Sequence, residues 1–222
     1  GRRGNSGICI IDITDPINPT EINSLEQHFT DIAINGDYAY ITTCEELKVF
    51  DISDPVNPKE KGFANVTLSP FFNPAGCDIK NVVTNQKYAF VTTEAGLSIV
   101  DISNPSNPVE TDFITTLHGY EKVKVRDNYA YVLENQTLRV IDISNFLTPF
   151  ITEYQIELGF HNDIDIYEDC LYLVQVPGGL RIFDISESEN LVETNSYYIY
   201  GNGPSIIADS IYVYIADSGR VS

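Results

Sequence analysis

Three histidines and one cysteine occupy equivalent points of a repeating chain, and their side chains are the ones best suited to hold a metal ion. Aligned on a recurring marker of the Tyr-Ala-Tyr type, His28, His118 and His161 fall within one residue of the same point, and Cys77 falls there in the remaining complete unit. Neutral imidazole suits zinc, copper or iron, and thiolate adds a soft donor. Four such donors on one rim would make a transition-metal site. A second reading stands beside it, in which polar side chains at a strand entry face water and lie too far apart for ligand bonds near about 2 Å. Asp31, Asp78 and Asp163 lie close by in sequence and would favour a hard cation such as calcium. No loop of the EF-hand type supports that ion. No cofactor is predicted outright, and a divalent metal ion is the candidate.

The cysteines Cys9, Cys44, Cys77 and Cys170 lack the C-x-x-C spacing of zinc ribbons and thioredoxin-like motifs. Cys44 follows one strand and Cys77 precedes the strand opening the next unit, so both fall in loops of adjoining units on one face. A Cys44–Cys77 disulfide is therefore a candidate, subject to a demanding geometry. Cys9 and Cys170 fall within strands and are read as buried free thiols. Between Phe63 and Cys77 the repeat carries an insertion of about nine residues. Its run Pro70-Phe71-Phe72-Asn73 is a candidate binding loop, since connecting loops carry function more often than scaffolds do. A packed surface loop, or a contact with another domain or subunit, is the competing reading. Catalytic signatures are missing: there is no Gly-x-Ser-x-Gly elbow, no Gly-rich phosphate loop and no His-Glu-x-x-His.

The elements that must position these residues follow from the repeat. Ile11-Asp12-Ile13-Thr14-Asp15-Pro16-Ile17-Asn18-Pro19 returns as Phe50 to Pro58 and as Val100 to Pro108, with weaker copies at Ile141 to Asn145 and Phe183 to Glu187. The key aspartates Asp12, Asp51, Asp101, Asp142 and Asp184 are spaced by 39, 50, 41 and 42 residues. The second marker keeps the same beat at Tyr38, Tyr88, Tyr129, Cys170 and Tyr212. A position repeated in every unit serves what every unit needs. The aspartates are accordingly read as structural turn residues that satisfy backbone N–H groups, and the tyrosines as packing residues with a polar tip.

Each unit reads as four strands, a to d, of β-branched and aromatic residues with short turns between them. In the third unit these are Ile79 to Val83, Tyr88 to Thr93, Leu97 to Ile102 and Val109 to Ile114. Strand c is apolar on both faces, as in Leu138 to Ile143 and Ile8 to Ile11, so both faces must be covered. Radially packed blades supply that cover, and a period of 40 to 50 residues is typical of propellers. The chain opens on a c-d pair and stops after an a-b pair. The predicted fold is therefore all-β, a single domain forming a five-bladed β-propeller of four-stranded antiparallel blades. Its units are 28–63, 77–114, 119–156 and 161–199, closed by one blade shared between 7–24 and 206–215. Part of a larger propeller is the alternative.

Gly-Leu before strand c, a strand ending in Val/Ile-Asp-Ile-Ser, the turn Asp/Asn-Pro-x-Asn-Pro and the Tyr-Ala-Tyr strand together resemble the LVIVD-repeat family. Gly96 to Pro108 is the closest local match. The resemblance covers nearly the whole chain and weakens in the last two units, where Phe146-Leu147-Thr148-Pro149 and Ser188-Glu189-Asn190-Leu191 replace the Pro-x-Asn-Pro turn. It implies a β-propeller of the kind found mostly in bacterial and archaeal secreted or cell-surface proteins, generally without an assigned activity.

Composition narrows the partners. With 32 Asp and Glu against 13 Lys and Arg, the formal charge is −19, a field that repels phosphate backbones and excludes nucleic acid as a natural partner. No apolar run reaches the roughly 18 residues of a membrane span, and no secretory h-region precedes the first strand. The chain contains no Met and is read as processed, trimmed or taken from a longer precursor. The expected function is a non-enzymatic extracellular or cell-surface module that binds a protein or glycan, with homo-oligomers or further domains as additional partners. A metal-dependent enzyme or metal-binding protein and a repeating subunit of a filament or surface layer are the alternatives.

Overall fold

The computed structural model describes residues 7–70, 77–115, 119, 121–134, 137–146, 149–155, 160–176, 178–188, 190–199 and 205–216, with the backbone alone at 160–162 and 176. Among the described residues every regular element is a strand. The chain divides into two compact units, residues 1–117 and 118–222.

In the first unit, β1 (Ile8–Asp12) and β2 (Thr20–Leu25) form a two-stranded sheet. β3 (Asp31–Asn35), β4 (Tyr38–Thr42), β5 (Glu46–Asp51) and β6 (Lys59–Asn65) form a four-stranded sheet in sequence order. So do β7 (Ile79–Thr84), β8 (Tyr88–Thr93), β9 (Gly96–Asp101) and β10 (Val109–Thr115). In the second unit the pattern repeats in β11 (Lys122–Arg126), β12 (Tyr129–Glu134), β13 (Thr137–Asp142) and β14 (Ile151–Gln155). It repeats again in β15 (Phe160–Tyr167), β16 (Cys170–Val176), β17 (Gly179–Asp184) and β18 (Val192–Tyr197), and a two-stranded sheet of β19 (Ser205–Ala208) and β20 (Val213–Ala216) follows. The pairs are antiparallel throughout, giving a propeller-like all-β fold.

The two sequence markers meet across the second and third strands of each four-stranded sheet. Tyr38 lies opposite Asp51, Tyr88 opposite Asp101, Tyr129 opposite Asp142 and Cys170 opposite Asp184. Beyond the strand, each aspartate turns its carboxylate back onto the chain. Asp12 accepts from the Thr14 amide at 2.9 Å, Asp51 from Ser53 at 3.1 Å, and Asp101, Asp142 and Asp184 from Ser103, Ser144 and Ser186 at 2.8 Å. The following Asp-Pro-x-Asn closes a β-turn, with Asn18 N–H donating to the Asp15 carbonyl and Asn57 N–H to that of Asp54, both at 3.0 Å. Asn190 keeps the same bond to Glu187 at 2.8 Å without the proline, so the fading motif preserves its turn.

These hydrogen bonds hold the carboxyls of Asp12, Asp51, Asp101 and Asp184 below the usual aspartate range. The largest contribution comes from the backbone amides of Thr14, Ser103 and Ser186, and for Asp51 from the Ser53 hydroxyl. A carboxyl depressed in the folded state stabilises the fold above its unfolded pKa of about 3.9, and that contribution disappears as pH falls through the folded value. Thermal unfolding followed by circular dichroism is therefore expected to show a flat Tm above pH ~5 and a progressive drop below pH ~4.

Within each unit, neighbouring four-stranded sheets bury facing side chains against one another. In the first unit Tyr40, Leu47, Val49 and Ala64 pack against Ile79, Val82, Ala89, Val91 and Val100. In the second, Tyr131, Leu133, Leu138 and Val140 pack against Ile164, Leu171, Leu173 and Phe183. Adjacent first strands are also stitched by side chains. The Asp31 carboxylate of β3 accepts from Val82 N–H of β7 at 2.8 Å, and Asp165 of β15 accepts from Ala208 N–H of β19 at 2.8 Å. Gly96 opens β9 at φ +154°, where an added Cβ would overlap the Ile114 carbonyl, which explains the glycine of the repeat.

β1 departs from the expectation for third strands. Cys9, read as a buried thiol, is exposed, and Ile11 is 50% exposed. The equivalent residues Phe50, Val100, Ile141 and Phe183 are 6%, 0%, 0% and 5% exposed. The difference arises because β1 belongs to a sheet of two strands rather than four. Cys170, the other expected buried thiol, is only half-buried.

Candidate functional site

The sharpest departure from the repeat lies around the segment that enters β7. Cys44 sits at the tip of the β4–β5 turn, which Thr43 organises: its N–H donates to the Glu46 carbonyl at 2.9 Å, and its hydroxyl accepts from the amides of Glu45 and Glu46 at 3.2 and 3.1 Å. Thr93 builds the same turn in the next sheet, accepting from Ala95 and Gly96 at 3.1 Å. The turn is therefore a property of the repeat, and the cysteine is the local addition.

Cys44 is joined to Cys77 by a disulfide spanning 33 residues of sequence. Beside it, Asp78 is 1% exposed and uses both carboxylate oxygens, one accepting from the Ser69 amide at 2.5 Å and the other from the Glu94 amide at 3.0 Å. The disulfide and Asp78 thus cinch the base of the inserted loop. Just before it, Glu110 accepts from the amide and hydroxyl of Thr67, both at 2.9 Å. Pro70 is exposed at the loop's start, while Phe71, Phe72 and Asn73 lie outside the described residues.

Opening that disulfide removes a cross-link whose loop-closure entropy is about 3–4 kcal/mol for a loop of this length. A Cys44→Ser variant should lose an equivalent unfolding free energy in a urea titration, with a slope somewhat steeper than that of the unaltered protein because its unfolded chain is less compact.

His28 lies in the connection between β2 and β3 and is exposed. Its Nδ1 is 3.7 Å from the Cys44 sulfur, and one donor atom from each of His28, Cys44 and Cys77 falls within 4.8 Å of the others. Among the described residues this is the one cluster of at least three His, Cys, Asp or Glu side chains with that proximity. Of the four donors aligned in sequence, the structure brings together His28 and Cys77 and adds Cys44. His118 lies outside the described residues, and for His161 only its backbone in β15, opposite Gln175, is described.

The carboxylates considered for a hard cation have protein partners instead. Asp31 binds Asn81 and Val82, Asp78 binds Ser69 and Glu94, and Asp163 accepts from the Ser205 hydroxyl at 2.8 Å and Ile206 N–H at 3.1 Å. Sequence spacing places them near the strand entries but does not reveal these partners. Cys9, the exposed thiol, has its pKa pushed up by desolvation and by the adjacent Glu21 carboxylate, which makes it a poor thiolate. No helix among the described residues is long and apolar enough to cross a membrane.

The family described as LVIVD repeat matches residues 3–26, 28–66, 76–116, 120–152 and 159–198. A search of curated proteins returns no match. Among solved structures, a chain of the mitotic checkpoint complex is similar at a TM-score of 0.75 and 9% identity, covering 97% of this chain and 66% of that one. The computationally designed Ika4 protein is similar at 0.57 and 11%, covering 74% and 98%. The N-terminal domain of Nup159 is similar at 0.59 and 11%, covering 82% and 50%, so this chain spans half its length. At these identities the likeness concerns the fold.

Proposed function

The chain belongs to the LVIVD repeat family, and from that premise we propose that it is a non-enzymatic binding or structural module of an extracellular or cell-surface protein. The observation that carries this reading is the Cys44–Cys77 disulfide at the base of the inserted loop. Disulfides persist in oxidising compartments, and this one fastens the single large irregularity of the repeat, where a recognition loop is best placed. The partner is a protein or a glycan. A formal charge of −19 argues against nucleic acid, and the similar fold in a chain of the mitotic checkpoint complex supports a protein partner.

We further propose that the repeats close into a five-bladed ring, a reading supported by the two-stranded sheets at either end of the repeat. Tyr214 is 54% exposed, whereas the equivalent Tyr40, Phe90 and Tyr131 are 2%, 0% and 0% exposed. With Ile11 open in β1, both two-stranded sheets show apolar faces that the four-stranded sheets bury. Pairing β20 to β1 as second and third strands of one blade would cover them and remove two strand edges. The repeat register sets Tyr212 opposite Asp12, as Tyr88 is opposite Asp101.

The test of function uses protein with residues 70–73 replaced by Gly-Ser, compared with the unaltered chain on glycan arrays and by cross-linking on intact native cells. The reading predicts labelling of a surface partner that is lost with the loop replacement. Cross-linking confined to cytosolic proteins, or unchanged by the replacement, would remove its basis.

A further inference from the structure

The cluster of His28, Cys44 and Cys77 holds two mutually exclusive chemistries, because a sulfur committed to a disulfide is not available as a thiolate ligand. We propose that these three residues form a binding site for a soft divalent ion, zinc in particular, that exists only when the Cys44–Cys77 disulfide is reduced. The proposal is independent of the partner-binding reading above and names a different donor set from the four residues aligned in sequence.

The geometry is that of an opened tetrahedral site. Zinc bonds of about 2.3 Å to sulfur and about 2.0 Å to nitrogen place a thiolate and an imidazole nitrogen roughly 3.6 Å apart on the ion, and two thiolates roughly 3.8 Å apart. His28 Nδ1 already stands 3.7 Å from the Cys44 sulfur, and the three donors lie within 4.8 Å of each other. Only the two sulfurs must separate. Cys44 stands at a turn tip and both cysteines are half-exposed, so side-chain rotation can supply that movement without entering the core. Two thiolates neutralise a divalent ion, the imidazole adds a neutral donor, and a water completes a coordination of three protein ligands.

The chemistry balances with a phosphine as reductant. The phosphine and one water take up the disulfide, giving two thiols and a phosphine oxide, with two electrons passing from phosphorus to sulfur. The incoming ion then displaces the two thiol protons to solvent as two metal–sulfur bonds form. Reoxidation of the dithiol by a small-molecule disulfide would expel the ion, so the site reports redox state.

The experiment titrates Co2+ as a spectroscopic probe, with Zn2+ in competition, into full-length protein carrying Cys9→Ser and Cys170→Ser, with and without a phosphine under nitrogen. Reduced protein should bind one ion per chain, with a thiolate-to-cobalt charge-transfer band, at least about 100-fold more tightly than oxidised protein. His28→Asn, which leaves the disulfide intact, should weaken binding by the reduced form by about tenfold or more. Zn2+ should raise the Tm of the reduced protein and leave that of the oxidised protein unchanged. Equal affinity in the two redox states, full affinity in His28→Asn, or a reduced chain that has lost its sheet signal and does not regain it with Zn2+ would each overturn the proposal.

Discussion

Phe90→Ala is expected to lower stability by about 3–5 kcal/mol, a large share of the roughly 5–15 kcal/mol that holds a domain together. Phe90 occupies the centre of β8 and is 0% exposed. It pairs with Ile99, itself 0% exposed, and its ring meets Tyr88 edge-on with centroids 6.4 Å apart. A strand covered on both faces cannot close over the deleted ring, because its neighbours are fixed by their own ladders. The cavity cost therefore adds to the lost burial. Urea titration should show a lower midpoint with the slope retained. A midpoint within about 1 kcal/mol of the unaltered protein would mean that β8 is not sandwiched as described.

Arg139→Ala is expected to cost about 3–5 kcal/mol by a different route. Glu134 at the end of β12 is 2% exposed, and the Arg139 guanidinium of β13 pairs with it while also holding Glu153 of β14 at 3.0 Å. Removing the cation leaves a carboxylate buried without its compensating charge, and desolvation then dominates over the lost attraction. The double variant Arg139→Ala, Glu134→Gln should recover much of the loss in the same titration, which a purely steric effect of Arg139 would not allow.

Much of this fold was legible because one unit explains another. In the third unit the strands expected at 79 to 83, 88 to 93, 97 to 102 and 109 to 114 are observed within one residue at every end, since hydrophobic pattern and turn residues agree there. What escaped were features that depend on register. A bulge recurs between third and fourth strands, at Val49/Phe50, at Glu110/Asp112 and at Ile182/Phe183, and nothing in the composition of those strands announces it. The exposure of Cys9 escaped for a related reason: an apolar third strand is buried only if its first two partners lie beside it.

At the site, the proximity of Cys44 and Cys77 could be inferred from strand order, because a turn after one second strand and an entry to the next first strand share a face. The grouping of His28 with Cys44 could not. Alignment pairs a residue with its equivalents in other units, whereas the disulfide cluster joins loops from adjoining units. The histidines of the repeat suggest a ring of like positions, and the structure groups His28 with Cys77 of that alignment and with Cys44 from outside it. The loop residues Phe71, Phe72 and Asn73 stand out in the sequence because they break the period, which is also why the remaining units say nothing about their conformation.

The proposed pairing of β20 with β1 in one shared blade is tested most directly by bridging the two strands chemically. In the register of the complete sheets Cys9 faces Ile215, so an Ile215→Cys variant in a Cys170→Ser background is treated with a short thiol-bridging reagent at low protein concentration. The closed ring predicts one product, a cross-linked monomer whose bridge mass spectrometry maps to Cys9 and position 215. Bridges found only between chains, as dimers and ladders, or no bridge at all, would contradict it.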